Sequence, residues 1–237
     1  MTGQPSASGA PRRLADPIDA RSNCGVGVVM DLDGGRSHDV VADGLELLCN
    51  LEHRGTTGAE ENTGDGAGIM IQTPDEFFAT AFESSLPATY AVGSIFLPQD
   101  ESDRQTLVDA FESVLADHDL TVREWRTVPT DNSDLGATAL ESEPVTLQPL
   151  VVPAGEMTTE IFDRSLYVAR RAIENAVEAD HPALADDFYV CSLDRKLVVY
   201  KGLLKSSQLP RYYPDLTDEA IRSTFVLVHA RFSTNTL

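Results

Sequence analysis

A cysteine opens an apolar, glycine-punctuated stretch that follows a 23-residue segment of very different composition. The stretch Cys24–Met30 is rich in valine and predicts a strand over residues 24–31. Residues 1–23 hold three Pro, four Ala, three Ser and two Gly and no apolar run of seven or more, so they lack the hydrophobic core of a secretory signal. The sequence therefore predicts a leader over residues 1–23 and a folded domain over residues 24–237.

The position of Cys24 directly after this leader suggests a specific chemistry. Cleavage after Asn23 would leave Cys24 with a free α-amine beside its thiol. Such an amine has a pKa of about 7.7–8.0 and a free thiol one of about 8.5, so the amine can act as general base for its own side chain near neutral pH. This is the chemistry of an N-terminal nucleophile hydrolase. On these residues alone, a buried strand cysteine behind an ordinary disordered N-terminus is the alternative.

The charge balance is strongly acidic. The chain has 38 Asp and Glu against 18 Lys and Arg, a formal charge of −20, and only three of the basic residues are lysines. Binding of nucleic acid through a basic face is therefore excluded as a function. Acidic residues spread over the whole chain, with arginine in place of lysine, favour a halophile cytosol in which salt screens the self-repulsion. An acidic surface for a basic partner is the alternative.

The cysteines and the hydropathy indicate a reducing compartment and no membrane. Cys24, Cys49 and Cys191 are widely spaced and form no CxxC pair, so neither a zinc site nor a disulfide framework is expected. We assign Cys49 and Cys191 to the core. No run approaches the roughly 20 apolar residues of a membrane span. These features favour the cytoplasm and predict no metal site.

Apolar periodicity predicts alternating strands and helices in one domain, with an α/β segment in its middle third. The predicted strands cover 24–31, 69–72, 90–97, 121–128, 146–152, 187–193, 196–201 and 224–228, and the predicted helices cover 38–51, 74–83, 101–118 and 158–179. Pro74 is expected in the first turn of its helix, and a tight turn at Asp194-Arg195 is expected to join the strands on either side. In the last of these helices Leu166, Ala169, Ile173 and Val177 share one face.

A loop over Gly55–Gly68 has five glycines in 14 residues. It matches neither a P-loop nor a dinucleotide fingerprint, so its glycines predict close backbone approach and positive φ rather than phosphate binding. Two interpretations of the preceding His53-Arg54-Gly55 stay open. Gly55 could cap the helix before it, or Arg54 could be buried and tie the loop to the nucleophile strand.

Arg231 follows the last predicted strand and is the best downstream candidate for binding a substrate. Arginine holds a carboxylate through two parallel hydrogen bonds, and Thr234 and Asn235 supply further donors nearby. A surface arginine is the alternative on this residue alone.

Taken together, these residues resemble the N-terminal glutaminase domain of the glutamate synthase large subunit, a class II glutamine amidotransferase. The likeness runs in consistent order from Cys24 to the end of the chain. The segments that carry it are Cys24–Gly27, Leu51–Gly55, Asn62–Gly68, Phe188–Leu193, Val199–Gly202, Tyr213–Leu216 and His229–Thr236.

The resemblance implies an α+β fold, the αββα sandwich of N-terminal nucleophile hydrolases with an inserted α/β segment. It implies a leader removed to expose Cys24, which attacks the side-chain amide of glutamine and forms a γ-glutamyl thioester. Arg231, with Thr234 and Asn235, would bind the substrate. The residues expected to frame the site are Arg54, Gly55, Gly64, Asp65 and Gly66.

The resemblance also implies a synthase region, or a separate subunit, that uses the ammonia to aminate 2-oxoglutarate. FMN and an iron–sulfur cluster would belong to that region, and no cofactor is expected in this chain. The 237 residues carry no match for the family's oxyanion-hole Asn-Gly pair or its amine-binding aspartate. Loss of one oxyanion donor costs about 10²–10³ in rate, so we expect a truncated chain with little glutaminase activity alone.

Two other functions are compatible with these residues. A different class II amidotransferase is disfavoured by the long segment between Phe77 and Phe188. A non-catalytic assembly or regulatory subunit with the amidotransferase fold is the alternative from another class, because fold alone does not establish function.

Overall fold

The structure is a computed structural model that describes residues 25–51 and 62–230. Within these ranges the chain is a mixture of helices and antiparallel strands. The strands are β1 (Val26–Met30), β2 (Ala67–Gln72), β3 (Ala91–Leu97), β4 (Leu120–Thr127), β5 (Val145–Pro153), β6 (Tyr189–Asp194), β7 (Leu197–Gly202) and β8 (Phe225–His229). The helices are α1 (His38–Asn50), α2 (Asp75–Ala81), α3 (Glu101–Asp117), α4 (Ala137–Glu141), α5 (Thr159–Asp180) and α6 (Leu209–Tyr212), with 3₁₀ turns at Ala185–Asp187 and Pro214–Thr217.

Two four-stranded sheets organise these elements. Sheet 1 has the order β1-β8-β2-β7 and sheet 2 the order β4-β5-β3-β6, and the neighbours in both pair antiparallel. The architecture agrees with the predicted α+β class. Sheet 2 takes three of its strands from the predicted inserted segment, and its antiparallel pairing means that this insert lacks parallel βαβ units.

The strands of sheet 1 alternate between a buried face and an open face, as the twofold period of a strand requires. Six residues on the buried face are each at most 1% exposed, namely Ile69, Ile71, Val198, Tyr200, Val226 and Val228. Helix α1 packs here, and its Gly44 lies directly against Val226. On the other face, β1 leaves Val26, Val28 and Met30 exposed by 60%, 48% and 55%.

Helix α1 begins as the sequence predicts and ends before the glycine that was a candidate cap. Ser37 is its N-cap and accepts a hydrogen bond from the Val40 backbone N–H, which satisfies one of the unpaired donors of the first turn. The helix ends at Asn50, and the backbone N–H of the C-cap Leu51 donates to carbonyls of the last turn. The proposal that Gly55 caps this helix is therefore wrong, because the cap lies four residues earlier.

Sheet 2 is covered on one face by two amphipathic helices. Asp100 caps α3 through the Ser102 and Asp103 backbone N–H groups, and Thr158 caps α5 through the Ile161 N–H. Four apolar residues of α5 expected on one face are all buried, namely Leu166, Ala169, Ile173 and Val177. The helical period of 3.6 residues explains this success.

Three local features differ from the predictions. Strands β6 and β7 follow one another through a tight turn, as expected, yet they belong to different sheets. Their connection is held by Asp194, whose carboxylate accepts the Lys196 and Leu197 backbone N–H groups. Pro74 stands before the first residue of α2, as its N-cap, rather than inside the first turn. The short helices α4 and α6 were not predicted.

A buried ion pair ties sheet 2 to the segment after β7. Arg126 of β4 donates two hydrogen bonds to Asp215, at 2.7 and 2.8 Å. Arg126 also donates to the Gln148 side chain at 2.8 Å, and the Tyr200 hydroxyl donates to Asp215 at 3.1 Å. Every member of this network has a partner, so the charges are compensated where they are buried.

Candidate functional site

Four strand ends meet at one end of sheet 1. Because the strands are antiparallel, the starts of β1 and β2 lie beside the ends of β8 and β7. His229 of β8 is the register partner of Val26 on one side and of Gly68 on the other, and Ala67 pairs with Gly202. Parts of four segments quoted for the resemblance come together at this end of the sheet, namely 25–27, 62–68, 199–202 and 229–230.

The last described pair at this end is Gly25 and Ala230. The Ala230 backbone N–H donates to the Gly25 carbonyl at 2.8 Å. Cys24 precedes Gly25 and Arg231 follows Ala230 in the sequence. Six predicted site residues lie outside the described residues, namely Cys24, Arg54, Gly55, Arg231, Thr234 and Asn235.

The three remaining predicted site residues, Gly64, Asp65 and Gly66, lead into β2 at the same sheet end. A Cβ at Gly64 would overlap the backbone of Leu204 and Lys205, which follow β7. Gly66 has φ +115°, a conformation that only glycine adopts without strain. The predicted close approach and positive φ are confirmed at these two glycines, and they place the loop against the end of β7.

Two basic residues, His229 and Lys201, flank Gly68 on the neighbouring strands. A side chain at Gly68 would overlap the His229 ring and crowd the stem of Lys201. Burial, and next the positive charge of Lys201, lower the pKa of the His229 imidazole below its ordinary value. This shift favours the neutral form of the imidazole over the cation. The Lys201 ammonium lies 4.0 Å from the centre of the Tyr189 ring.

His229 and Lys201 lie in two of the segments that carry the resemblance, but neither was predicted as a site residue. Their placement depends on strand register across three segments distant in sequence. The available signal is that Gly68, which has no side chain, pairs with residues of large side chain on β7 and β8. That signal can be interpreted only once the pairing is known.

The two other cysteines are poor candidates for the nucleophile. Burial raises the pKa of the Cys191 thiol to about 12, so it stays protonated and inert. Cys49 is half-buried on α1. In the part of the chain that the structure covers, no group of three or more His, Cys, Asp or Glu could hold a metal ion. Likewise, none of the helices over residues 25–51 and 62–230 is long and apolar enough to cross a bilayer.

Comparison with known protein families agrees with this arrangement. The family described as glutamine amidotransferases class II matches residues 24–237, and this chain belongs to it. The match begins at Cys24, two residues before the first residue of β1.

The chain is similar to one part of several glutamate synthases. It is 40% identical to the NADH glutamate synthase of Schizosaccharomyces pombe over 99% of this chain and 12% of the relative. It is 39% identical to the NADPH glutamate synthase large chain of Bacillus subtilis over 90% of this chain and 14% of the relative. It is 38% identical to ferredoxin-dependent glutamate synthase 1 of Arabidopsis thaliana over 94% of this chain and 14% of the relative.

These relatives are named for three different electron donors, although this chain resembles all three almost equally. The shared region therefore carries no information about the donor. The chain spans only a small part of the length of each relative, 12% to 14%.

Proposed function

We propose that this chain is the glutaminase part of a glutamate synthase, in which Cys24 is the nucleophile that releases ammonia from glutamine. Residues 1–23 are a leader in this proposal, and 24–237 belong to the amidotransferase domain. The start of the family match at Cys24 supports that boundary.

The observation that carries the proposal is the pairing of β1 with β8. It brings the residue after Cys24 and the residue before Arg231 into a 2.8 Å hydrogen bond. A nucleophile and a carboxylate-binding arginine must lie within the length of one glutamine of each other, and the pairing of Gly25 with Ala230 supports this arrangement. Arg231 would bind the substrate carboxylate in two parallel hydrogen bonds, with Thr234 and Asn235 beside it. Arg54, Gly55 and the loop of Gly64, Asp65 and Gly66 would frame the site.

The proposed reaction has two steps on one thiol. The Cys24 Sγ attacks the side-chain carbonyl carbon of glutamine, and the carbon–nitrogen bond breaks. The nitrogen leaves as ammonia with the proton of the thiol, which the α-amine of Cys24 relays. Water then attacks the thioester, releases glutamate and restores the thiol.

The second half of the activity rests on the similarity to whole glutamate synthases. Ammonia would pass to a synthase region or subunit, where FMN and an iron–sulfur cluster supply the electrons for the amination of 2-oxoglutarate. In this proposal both groups belong to that region or subunit and not to this chain. The cysteine pattern supports the cytoplasm as the compartment.

The sandwich architecture is also part of the proposal. Sheet 1 carries α1 on one face, while Val26, Val28 and Met30 leave the other face apolar and about half exposed. A second layer packed on this face would complete an αββα arrangement. It would also place the start of β1, where the candidate site lies, between two sheets.

The test is covalent labelling by a glutamine analogue with a diazo-ketone, measured by intact mass and peptide mapping in high salt. We expect a species that begins at Cys24 and carries one adduct on that residue. The Cys24→Ala variant should carry no adduct, and the matched control Cys49→Ala should be labelled like the wild type.

Two results would contradict the proposal. An unlabelled chain that still begins at the leader would favour the assembly or regulatory subunit. Labelling that persists in Cys24→Ala would assign the nucleophile to another residue.

A further inference from the structure

A buried glutamine connects the loop at the candidate site to two distant segments. Gln208 is 3% exposed and lies just before α6. Its Oε1 accepts the Lys205 backbone N–H at 2.8 Å, which fixes the orientation of the side-chain amide. Its Nε2 donates to the Asn62 carbonyl at 3.1 Å and to the Asp134 carbonyl at 2.6 Å. Both N–H donors and one of the two oxygen lone pairs of this amide are thus used within the protein.

The Asn62 carbonyl is held from a second direction as well. The Gly136 backbone N–H donates to it at 3.0 Å. Asp134 and Gly136 belong to the connection between sheet 2 strands, so the inserted segment contributes directly to holding Asn62. Three stretches of chain, 62–66, 134–136 and 204–208, therefore meet around one amide.

The loop between Asn62 and β2 has little freedom once this carbonyl is fixed. Gly64 lies against the backbone of Leu204 and Lys205, and Ala67 is already paired with Gly202. The loop is thus restrained at its start, its middle and its end by contacts with residues 202–208 and with the segment 134–136.

We propose that Gln208 is a positioning residue that holds the Asn62–Gly66 loop in the geometry required to bind glutamine at the site. This inference rests on the proposed function of the chain. It also assigns a role to the inserted segment, which braces the glutaminase loop through Asp134 and Gly136.

An amide is the side chain that this position requires. The site needs one acceptor for the Lys205 N–H and two donors for two carbonyl oxygens, which matches the inventory of glutamine. Glutamate keeps the acceptor but directs a second oxygen at the two carbonyls, and methionine removes all three hydrogen bonds. Either change removes the two donors that the Asn62 and Asp134 carbonyls use, and these hydrogen bonds no longer restrain the loop.

The experiment compares two alkylating reagents on Gln208→Glu and on the wild-type chain. The diazo-ketone glutamine analogue requires a formed substrate site to reach Cys24, whereas iodoacetamide requires only an accessible thiolate. We expect the rate constant for the analogue to fall on the order of 10- to 100-fold, as for a misplaced substrate-binding element. The iodoacetamide rate should stay near the wild-type value, so the ratio of the two rates changes.

The matched control is Gln99→Glu. The Gln99 side-chain amide also donates to a backbone carbonyl, that of Glu143, at 3.0 Å. Unlike Gln208, Gln99 is exposed, and it lies two residues after the end of β3. This variant should keep the wild-type ratio. Gln208→Met, which adds no charge, repeats the measurement if Gln208→Glu fails to fold.

Each result has a definite meaning. A wild-type ratio in both Gln208 variants overturns the inference, and so does a parallel fall of both rates in both folded variants, because a less reactive Cys24 thiol would then explain the slower labelling. A wild-type chain that the analogue does not label contradicts the proposed function itself and removes the basis for the positioning role.

Discussion

At the scale of single residues, the glycines near the site differ sharply in what a methyl group would meet. Alanine at Gly64 would place its Cβ on the backbone of Leu204 and Lys205, which cannot rotate away as a side chain can. We expect Gly64→Ala to lower the free energy of unfolding by about 1–3 kcal/mol, as other overpacked substitutions do. Urea denaturation followed by circular dichroism measures this.

Gly155→Ala is the control for the Gly64 variant. Nothing lies within 4 Å of a Cβ at Gly155, and its φ is not positive. The substitution should be neutral or raise stability by about 0.4–1 kcal/mol, because alanine restricts the unfolded chain. Equal stabilities for the two variants would mean that the Gly64 loop does not pack on Leu204.

Residue roles were predictable where they follow from local chemistry and not where they follow from long-range contacts. The glycine-dense stretch indicated close backbone approach and positive φ. Gly64 confirms the close approach, and Gly66 confirms the positive φ. Gln208 gave no such signal, because a glutamine in a polar segment looks exposed. Its three partners lie at sequence separations from 3 to 146 residues, which only the fold brings together.

At the scale of elements, the ion pair between β4 and the 3₁₀ turn after α6 is the connection most sensitive to mutation. The Arg126 and Asp215 side chains are 11% and 6% exposed. Asp215→Asn would leave the Arg126 guanidinium buried without its counter-charge. We expect a loss of about 3–5 kcal/mol in the free energy of unfolding, the usual cost of breaking a buried pair on one side.

Asp163→Asn is the matched control, since Asp163 pairs with Arg195 through a similar bond at 2.9 Å but with 40% of its side chain exposed. Its cost should be at most about 1 kcal/mol, as for other surface pairs. Comparable losses in the two variants would indicate that water reaches Arg126 and that this pair behaves as a surface pair.

Element predictions succeeded where a periodic pattern was long and failed where the outcome depended on sheet assignment. Helix α5 and its buried stripe follow from the 3.6-residue period. The assignment of β6 and β7 to different sheets does not, because a tight turn at Asp194 is typical of an ordinary hairpin. Helices α4 and α6, with five and four residues, are too short to show a period.

At the scale of the whole molecule, the resemblance predicted more than the periodicity did. Two antiparallel sheets are present, and the family match spans residues 24–237. No count of apolar residues could have placed Gly25 beside Ala230, because strand order within a sheet depends on which faces bury each other. The motifs carried that information because their order along the chain is that of a known family.

The net charge of −20 leads to a prediction about stability in salt. Self-repulsion on this scale opposes the compact state, and screening shortens its range from about 10 Å at 0.1 M salt to about 3 Å at 1 M. We therefore expect the urea midpoint of unfolding to rise steeply between these KCl concentrations. Sucrose, which favours the compact state without screening charge, should have a much smaller effect at matched osmolality. A sharp and fully reversible transition in dilute buffer, unchanged by KCl, would mean that the acidic surface serves a basic partner and not a saline cytosol.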